Sequence, residues 1–320
     1  MRCSNCQAEL EPSFAFCENC GTAVGAATQG EADATSGLVL ARRCSCGSDA
    51  FDEAGYCAAC ARRVLPHDAV EWRADGGQLA IASHRGRTHA DNQDFGFVQR
   101  LGDGAVALAV ADGVSTAYRA RTAAEIALAQ IMATFGEDGL SDDEALLKLA
   151  LTRAHAAVCR LPHLDAGLAE PQATVVAALV RNNRLSFGWV GDSRAYLLHD
   201  SASRQLTVDD SWLQEQVAAG MPYEEALRSP DAHCIMQCLG MRDDEIEIHV
   251  GQAELAPGAV VLLCSDGLWN YLPDAASLHA RVADAGQSPD ALERCIKLVE
   301  LANAAGGIDN VTVALYRHGA

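Results

Sequence analysis

The chain has 320 residues, 49% of them hydrophobic, with 24 Lys and Arg against 43 Asp and Glu, a formal charge of −19. That length leaves room for more than one domain, and the apolar fraction is enough for a sizeable core, which excludes bulk disorder. The acidity argues against a protein that grips nucleic acid, and no run of eighteen apolar residues is present to span a bilayer.

The N-terminus, MRCSNCQAEL, carries neither the basic n-region nor the apolar h-region of a secretory signal. Its cysteines are therefore expected as metal ligands and buried thiols in a reducing compartment, the cytoplasm. Cys3-x2-Cys6 is followed after ten residues by Cys17-x2-Cys20, and Cys44-x-Cys46 after ten more by Cys57-x2-Cys60. Two close thiolate pairs close a tetrahedron around Zn²⁺, so each set predicts a zinc ribbon, with Cys-x-Cys a tighter knuckle than usual. With all four positions filled by thiolate, both zinc ions are expected to be structural. The other five cysteines, Cys159, Cys234, Cys238, Cys264 and Cys295, are scattered singly and read as buried core residues.

The stretch GTAVGAATQGEADATSG is small and polar, and Pro66 with Gly76-Gly77 marks a second break. The chain thus divides into ribbon 1 (1–24), a linker (25–41), ribbon 2 (42–65), a linker (66–78) and one continuous domain (79–318). Within that domain QLAIAS and VALAVAD (106–112) read as strands, while 118–135 and 141–160 show helical spacing. The second helix opens on Ser141-x-x-Glu144, a capping-box pattern. ATVVAALV (173–180), Asn182-Asn183 and RLSFGWV (184–190) predict a hairpin, followed by a strand at RAYLLH (194–199). EIEIHV and AVVLLCS predict strands, 274–302 two helices, and VTVALYR a last strand. Paired helices inserted between runs of antiparallel strands predict an α+β layered fold.

Aspartates recur where apolar runs end. Asp112-Gly113 follows VALAVA, Asp266-Gly267 follows VVLLCS, Asp192 sits in GWVGDSRAY, Asp94 in ADNQD and Asp309 in GGIDNVTV. Carboxylates held at the rim of a sheet make a hard-oxygen site for Mg²⁺ or Mn²⁺. Asp75-Gly76, Asp103-Gly104 and Asp138-Gly139 lack such a run and read as turns.

In this order, SHRGRTHADNQD, LAVADGVS, WVGDSRAYLL, LTVDDSW, LLCSDGLWNYL and GIDNVTVAL resemble the PP2C (PPM) family of metal-dependent protein serine/threonine phosphatases, bacterial type, over about residues 79–317. The resemblance implies a four-layer αββα sandwich behind the two ribbons. It implies that Asp112, Asp266 and Asp309 hold two Mn²⁺ or Mg²⁺ ions, Asp112 bridging them and the Gly113 carbonyl completing one. Asp94 is then expected beside the pair through a water, Asp192 on a third, weaker ion, and Asn310 orienting Asp309 or a bound water. The implied reaction is hydrolysis of phosphoserine and phosphothreonine in proteins, with no phospho-enzyme.

Where many members carry a phosphate-gripping arginine this chain has His89, with Arg85 and Arg87 nearby. His89 could bind phosphate, donate a proton or simply hydrogen-bond beside the site. Residues 206–239 correspond to the family's flap and are rich in acids, which favours substrates with basic residues near the phosphosite. The ribbons are expected to dock a partner, such as a serine/threonine kinase or a phosphopeptide-reading protein. The alternative is a PP2C-like scaffold that no longer turns over.

Overall fold

Sheet pairing starts ahead of the phosphatase-like segment. The structure, a computed structural model, describes residues 41–44, 46–51, 56–62, 70–137, 142–162, 170–242, 245–284 and 290–319; Cys3, Cys6, Cys17 and Cys20, and with them ribbon 1, lie outside these. Strand β1 (Ala41–Arg43) pairs antiparallel with β2 (Val70–Asp75), which turns back into β3 (Leu79–His84). Of the linker expected over 66–78, residues 66–69 lie outside the described residues and 70–78 are corrected by this pairing. Gly76 and Gly77, at φ 66° and 73°, reverse the chain in a hairpin loop instead of spacing two domains.

The chain continues through β4 (Asp94–Arg100), β5 (Val106–Gly113), α1 (Ala120–Phe135) and α2 (Asp143–Cys159). Next come β6 (Ala173–Arg181), β7 (Arg184–Val190), β8 (Arg194–Leu198), β9 (Arg204–Gln205), and short helices α3 (Trp212–Ala218) and α4 (Tyr223–Ala226). The last elements are β10 (His249–Glu254), β11 (Val260–Cys264), α5 (Asp266–Trp269), α6 (Ala275–Asp284), α7 (Ala291–Ala305) and β12 (Val311–Arg317). Two antiparallel sheets result, ordered β1-β2-β3-β12-β11-β8-β9 and β10-β7-β6-β5-β4.

The apolar pattern explains the four layers. Leu79, Ile81, Leu108, Val110, Val176 and Leu263 point between the sheets and are fully buried. The opposite face of the five-stranded sheet carries Ala107, Ala109 and Ala111, on which Ala123 and Ala127 of α1 and Ala154 of α2 pack. Small side chains on both sides let helix and sheet approach closely. Helices α6 and α7 cover the outer face of the seven-stranded sheet, where Val70, Trp72 and Ala74 of β2 also lie.

Three local expectations change. Ser141 lies outside the described residues, and the side chain of Asp142 caps α2 by accepting from the Glu144 N–H. The strand expected over EIEIHV begins only at His249, because β7, its partner, ends at Val190 opposite that region. Of the five scattered cysteines, Cys238, Cys264 and Cys295 are buried, Cys159 is half-buried and Cys234 is exposed.

Candidate active site

The sheet register brings the aspartates together. Asp94 stands directly opposite Asp112 across β4 and β5, a like-charge pair that is unfavourable on its own. Asp192 follows β7, Asp266 opens α5 straight after β11, and Asp309 precedes β12, all at the same rim. Asp94 and Asp192 are only 2% and 6% exposed.

Burial, then repulsion from Asp94, Asp266, Asp192 and Asp309, holds the Asp112 carboxyl well above its usual range. Asp266 is raised in the same way, by burial first and then by Asp192, Asp309 and Asp94. Burial is also the main cause that lifts Asp94 to about 6 and Asp192 to about 7. Oδ1 of Asp94 and Oδ1 of Asp266 are buried with no hydrogen-bond partner, which is costly inside a protein. A divalent cation relieves the burial, the repulsion and the orphaned oxygens together, so this residue set fits one. A cleft of about 80 Å³ opens beside the cluster, bordered by Asp112, Asp192, Asp266, Asp309, Thr174 and Ile235.

The loop from β3 to β4 is fastened to the cluster by Asn310. Its Nδ2 donates to the carbonyls of Arg85 (2.7 Å) and Asp91 (3.1 Å), and its Oδ1 accepts from Gln93 N (2.7 Å). The side chain therefore holds the loop, while the backbone N–H of Asn310 reaches Asp309 Oδ1 at 2.8 Å. His89 Nε2 lies 3.2 Å from the same oxygen, and the Arg85 guanidinium donates to the His89 carbonyl. Gly86 sits at φ +75°, where an added Cβ would stand 2.1 Å from the Asp309 carbonyl oxygen. Only glycine lets these two backbones touch. Arg87 turns elsewhere, into a cleft shared with Arg43 and Lys297.

The turn bearing Asp192 is gripped from two sides. Trp269 of α5 donates from Nε1 to the Asp192 carbonyl (3.0 Å). Asp210 accepts from Gly191 N through Oδ2 (2.7 Å), returns its own N–H to the Gly191 carbonyl (3.0 Å), and pairs through Oδ1 with His249 Nε2 (2.9 Å). Arg194 binds Asp209 through two nitrogens and lies over the Trp269 ring at 3.7 Å. The root of the acidic 206–239 segment is thus tied to the rim.

Cys44, Cys46, Cys57 and Cys60 converge as a second centre, with all four sulfurs within 4.8 Å of one another. Cys44 Sγ and Cys60 Sγ are 3.7 Å apart, Cys46 Sγ and Cys57 Sγ 3.5 Å. A tetrahedral Zn–S bond of about 2.3 Å separates sulfurs by about 3.8 Å, so the spacing fits zinc and is far too long for a disulfide. Among the described residues no carboxylate set is drawn so tightly together. Arg43 anchors this module to the larger fold, bonding Asp49 (2.9 Å) and Glu293 of α7 (2.8 Å) and lying over Trp72.

Comparison with known proteins agrees with this architecture. Residues 82–300 match the protein phosphatase 2C family, and residues 2–24 match a zinc-ribbon domain. The serine/threonine protein phosphatase PstP of Mycobacterium tuberculosis is 33% identical over 239 residues; the match spans 74% of this chain and 44% of that longer protein. The Streptococcus agalactiae serine/threonine phosphatase superposes with a TM-score of 0.66 at 27% identity, over 75% of this chain and 98% of that one. The PstP catalytic domain in complex with two manganese ions gives a TM-score of 0.60 at 30% identity, over 78% and 99%. A sandwich of two antiparallel sheets between helix pairs, with carboxylates gathered on one rim, is the architecture shared with these structures. This chain belongs to the protein phosphatase 2C family.

Several contributors were not singled out from the sequence. Asn92, Ser83, Ser265 and Thr312 lie inside the segments that carry the family resemblance, yet nothing in those segments joins them to one another. Arg194 and Asp209 stand fifteen positions apart with nothing in either segment to join them. Three-dimensional pairing alone reveals them.

Proposed function

We propose that this protein is a phosphoprotein phosphatase that hydrolyses phosphoserine and phosphothreonine esters with two divalent ions, Mn²⁺ or Mg²⁺, at the carboxylate rim. The observation that carries the reading is the set of buried, crowded aspartates at adjoining strand ends, with Asp94 opposite Asp112 and the orphaned oxygens of Asp94 and Asp266. Asp112, Asp266 and Asp309 would hold the pair with the Gly113 carbonyl, Asp94 would act through a water, and Asp192 would serve a third, weaker ion. The relative solved with two manganese ions supports the assignment of two ions. Such ions, when bound, lower the pKa of a water and neutralise charge on the phosphoryl oxygens.

The chain's own residues shape what those ions meet. His89, paired with Asp309 Oδ1, orients that carboxylate in place of gripping phosphate freely. Asn310 fixes the loop carrying His89. Trp269 and Asp210 hold the turn of Asp192. Asp209 and Asp210 border the rim, and the acids of residues 206–239 would favour phosphosites flanked by basic residues. Cys44, Cys46, Cys57 and Cys60 would bind one structural Zn²⁺, and Cys3, Cys6, Cys17 and Cys20 another. Thiolates kept for zinc belong in a reducing compartment, so we place the protein in the cytoplasm. The ribbons would dock a signalling partner, a kinase or a phosphopeptide-reading protein.

The scaffold alternative draws support only from His89 at the arginine position. Mn²⁺-dependent hydrolysis of a phosphothreonine peptide, compared among wild type, Asp112→Ala and Asp266→Ala, decides between the two. Loss of at least a thousandfold in both variants is expected, since each removes a metal ligand; roughly 4 kcal/mol of barrier corresponds to that factor. An inert, metal-loaded wild type on several peptides would favour the scaffold.

A further inference from the structure

Four polar side chains lie beneath the aspartate cluster in an otherwise apolar interior. Ser83 is 1% exposed, Asn92 7%, and Ser265 and Thr312 0%. Buried hydroxyls and amides are costly unless they are bonded, and here they bond to one another and to Asp94. Asp94 N donates to Asn92 Oδ1 (3.3 Å), which turns Asn92 Nδ2 toward Ser83 Oγ (2.8 Å). Ser83 Oγ in turn shares a hydrogen bond with Thr312 Oγ1 at 2.6 Å. The Thr312 hydroxyl lies close enough to the Asp94 carboxylate to favour its charged form. In parallel, Thr312 N donates to Ser265 Oγ (3.0 Å), so the Ser265 proton goes to Asp94 Oδ2 at 2.6 Å.

We propose that Asp94, Asn92, Ser83, Thr312 and Ser265 form a closed hydrogen-bonded ring that positions Asp94 for the metal pair, with Ser265 and Thr312 as positioning residues of the reaction. The proposal deepens the phosphatase reading and rests on it. Two features give the ring this role. First, it commits Oδ2 and leaves Oδ1, buried and unpartnered, as the oxygen that Asp94 can present. Second, Ser83 and Thr312 belong to the seven-stranded sheet and Asp94 to the five-stranded one. The ring therefore crosses the sandwich where Asp112, on one sheet, must meet Asp266 and Asp309, at strand ends of the other. It sets the distance between the two halves of the metal site, a task for which fixed, low-entropy hydroxyls suit better than long side chains.

The test uses the full chain with its zinc sites loaded. Mn²⁺ binding is followed by titration calorimetry in wild type, Thr312→Val, Thr312→Ser and Ser265→Ala, with kcat and KM on a phosphothreonine peptide alongside. Val keeps the shape of Thr without its hydroxyl. Thr312→Val and Ser265→Ala should each weaken Mn²⁺ binding by roughly ten- to a hundredfold, with peptide KM unchanged at saturating Mn²⁺, while Thr312→Ser stays within about threefold of wild type. Folded Val and Ala variants with wild-type Mn²⁺ affinity would overturn the ring, as would a Ser variant as weak as Val. Should Thr312→Val fail to fold, Ser265→Ala, which deletes a single oxygen, decides in its place. A wild type that binds Mn²⁺ but cleaves no phosphopeptide would sink the phosphatase reading and leave the binding comparison to judge the ring.

Discussion

Asp94 and Asp192 hold their protons to about pH 6 and about pH 7 in the folded chain, against an ordinary carboxyl value of 3.8. A native state that binds protons more tightly than the unfolded chain loses stability as pH rises through that window. The contribution is full below the ordinary value and gone above the raised ones. Divalent cations remove the penalty by taking the proton's place, so their stabilising effect must grow with pH. The gap in melting temperature between Mn²⁺-saturated protein and zinc-loaded protein free of Mn²⁺ and Mg²⁺ should therefore widen from about pH 5 to about pH 8. A gap that stays level or narrows would contradict the metal reading of these groups. The aspartates themselves were legible in the sequence, because each closes an apolar run or opens one. Their hydroxyl partners were not, since Ser83 meets Thr312 across 229 positions and Ser265 meets Asp94 across 171. No local pattern encodes a bond of that reach.

At the scale of elements, the loop joining β3 to β4 is the most exacting piece. Gly86 combines a left-handed backbone with contact to the Asp309 carbonyl, and Arg87 N donates to the Gly307 carbonyl at 2.7 Å beside it. Gly86→Ala should cost on the order of 1–3 kcal/mol in stability. Because the displaced backbone carries Asp309 and His89, its phosphatase activity should fall further than its melting temperature predicts. Paired thermal melts and kcat measurements check this; a variant of normal activity would mean the loop can yield without moving the rim. Elements were read well where periodicity was strong, as in the hairpin at Asn182-Asn183, with Asn182 at φ 55°. They were misread where pairing overrides pattern. EIEI alternates like a strand but has no partner alongside, while VEWRAD, set among turn residues, gains one on each side from β1 and β3.

At the scale of the whole molecule, the second cysteine module is part of the sheet. Arg43 carries it, through β1, Trp72 and Glu293, onto the same helix α7 that covers the phosphatase core. Cys57→Ser, which breaks the tetrahedral site, should speed hydrogen exchange at the amides of β2 while those of β6, deep in the other sheet, keep their protection. Unchanged β2 exchange would show the module to be an independent appendage. The sandwich was legible from the order of motifs and the alternation of their strands. The fusion of ribbon to sheet was not, because a glycine pair looks the same in a spacer and in a hairpin.

The three residues of β1 also decide what the molecule shows to its neighbours. Among the described residues, they and the two residues of β9 are what the seven-stranded sheet offers at its margins, little backbone for another chain to zip onto. Cutting the protein ahead of Val70 would trade that blunt margin for six residues of open ladder along β2. A fragment trimmed to begin at Val70 should therefore associate with itself more readily than the full chain, a difference that sedimentation would read.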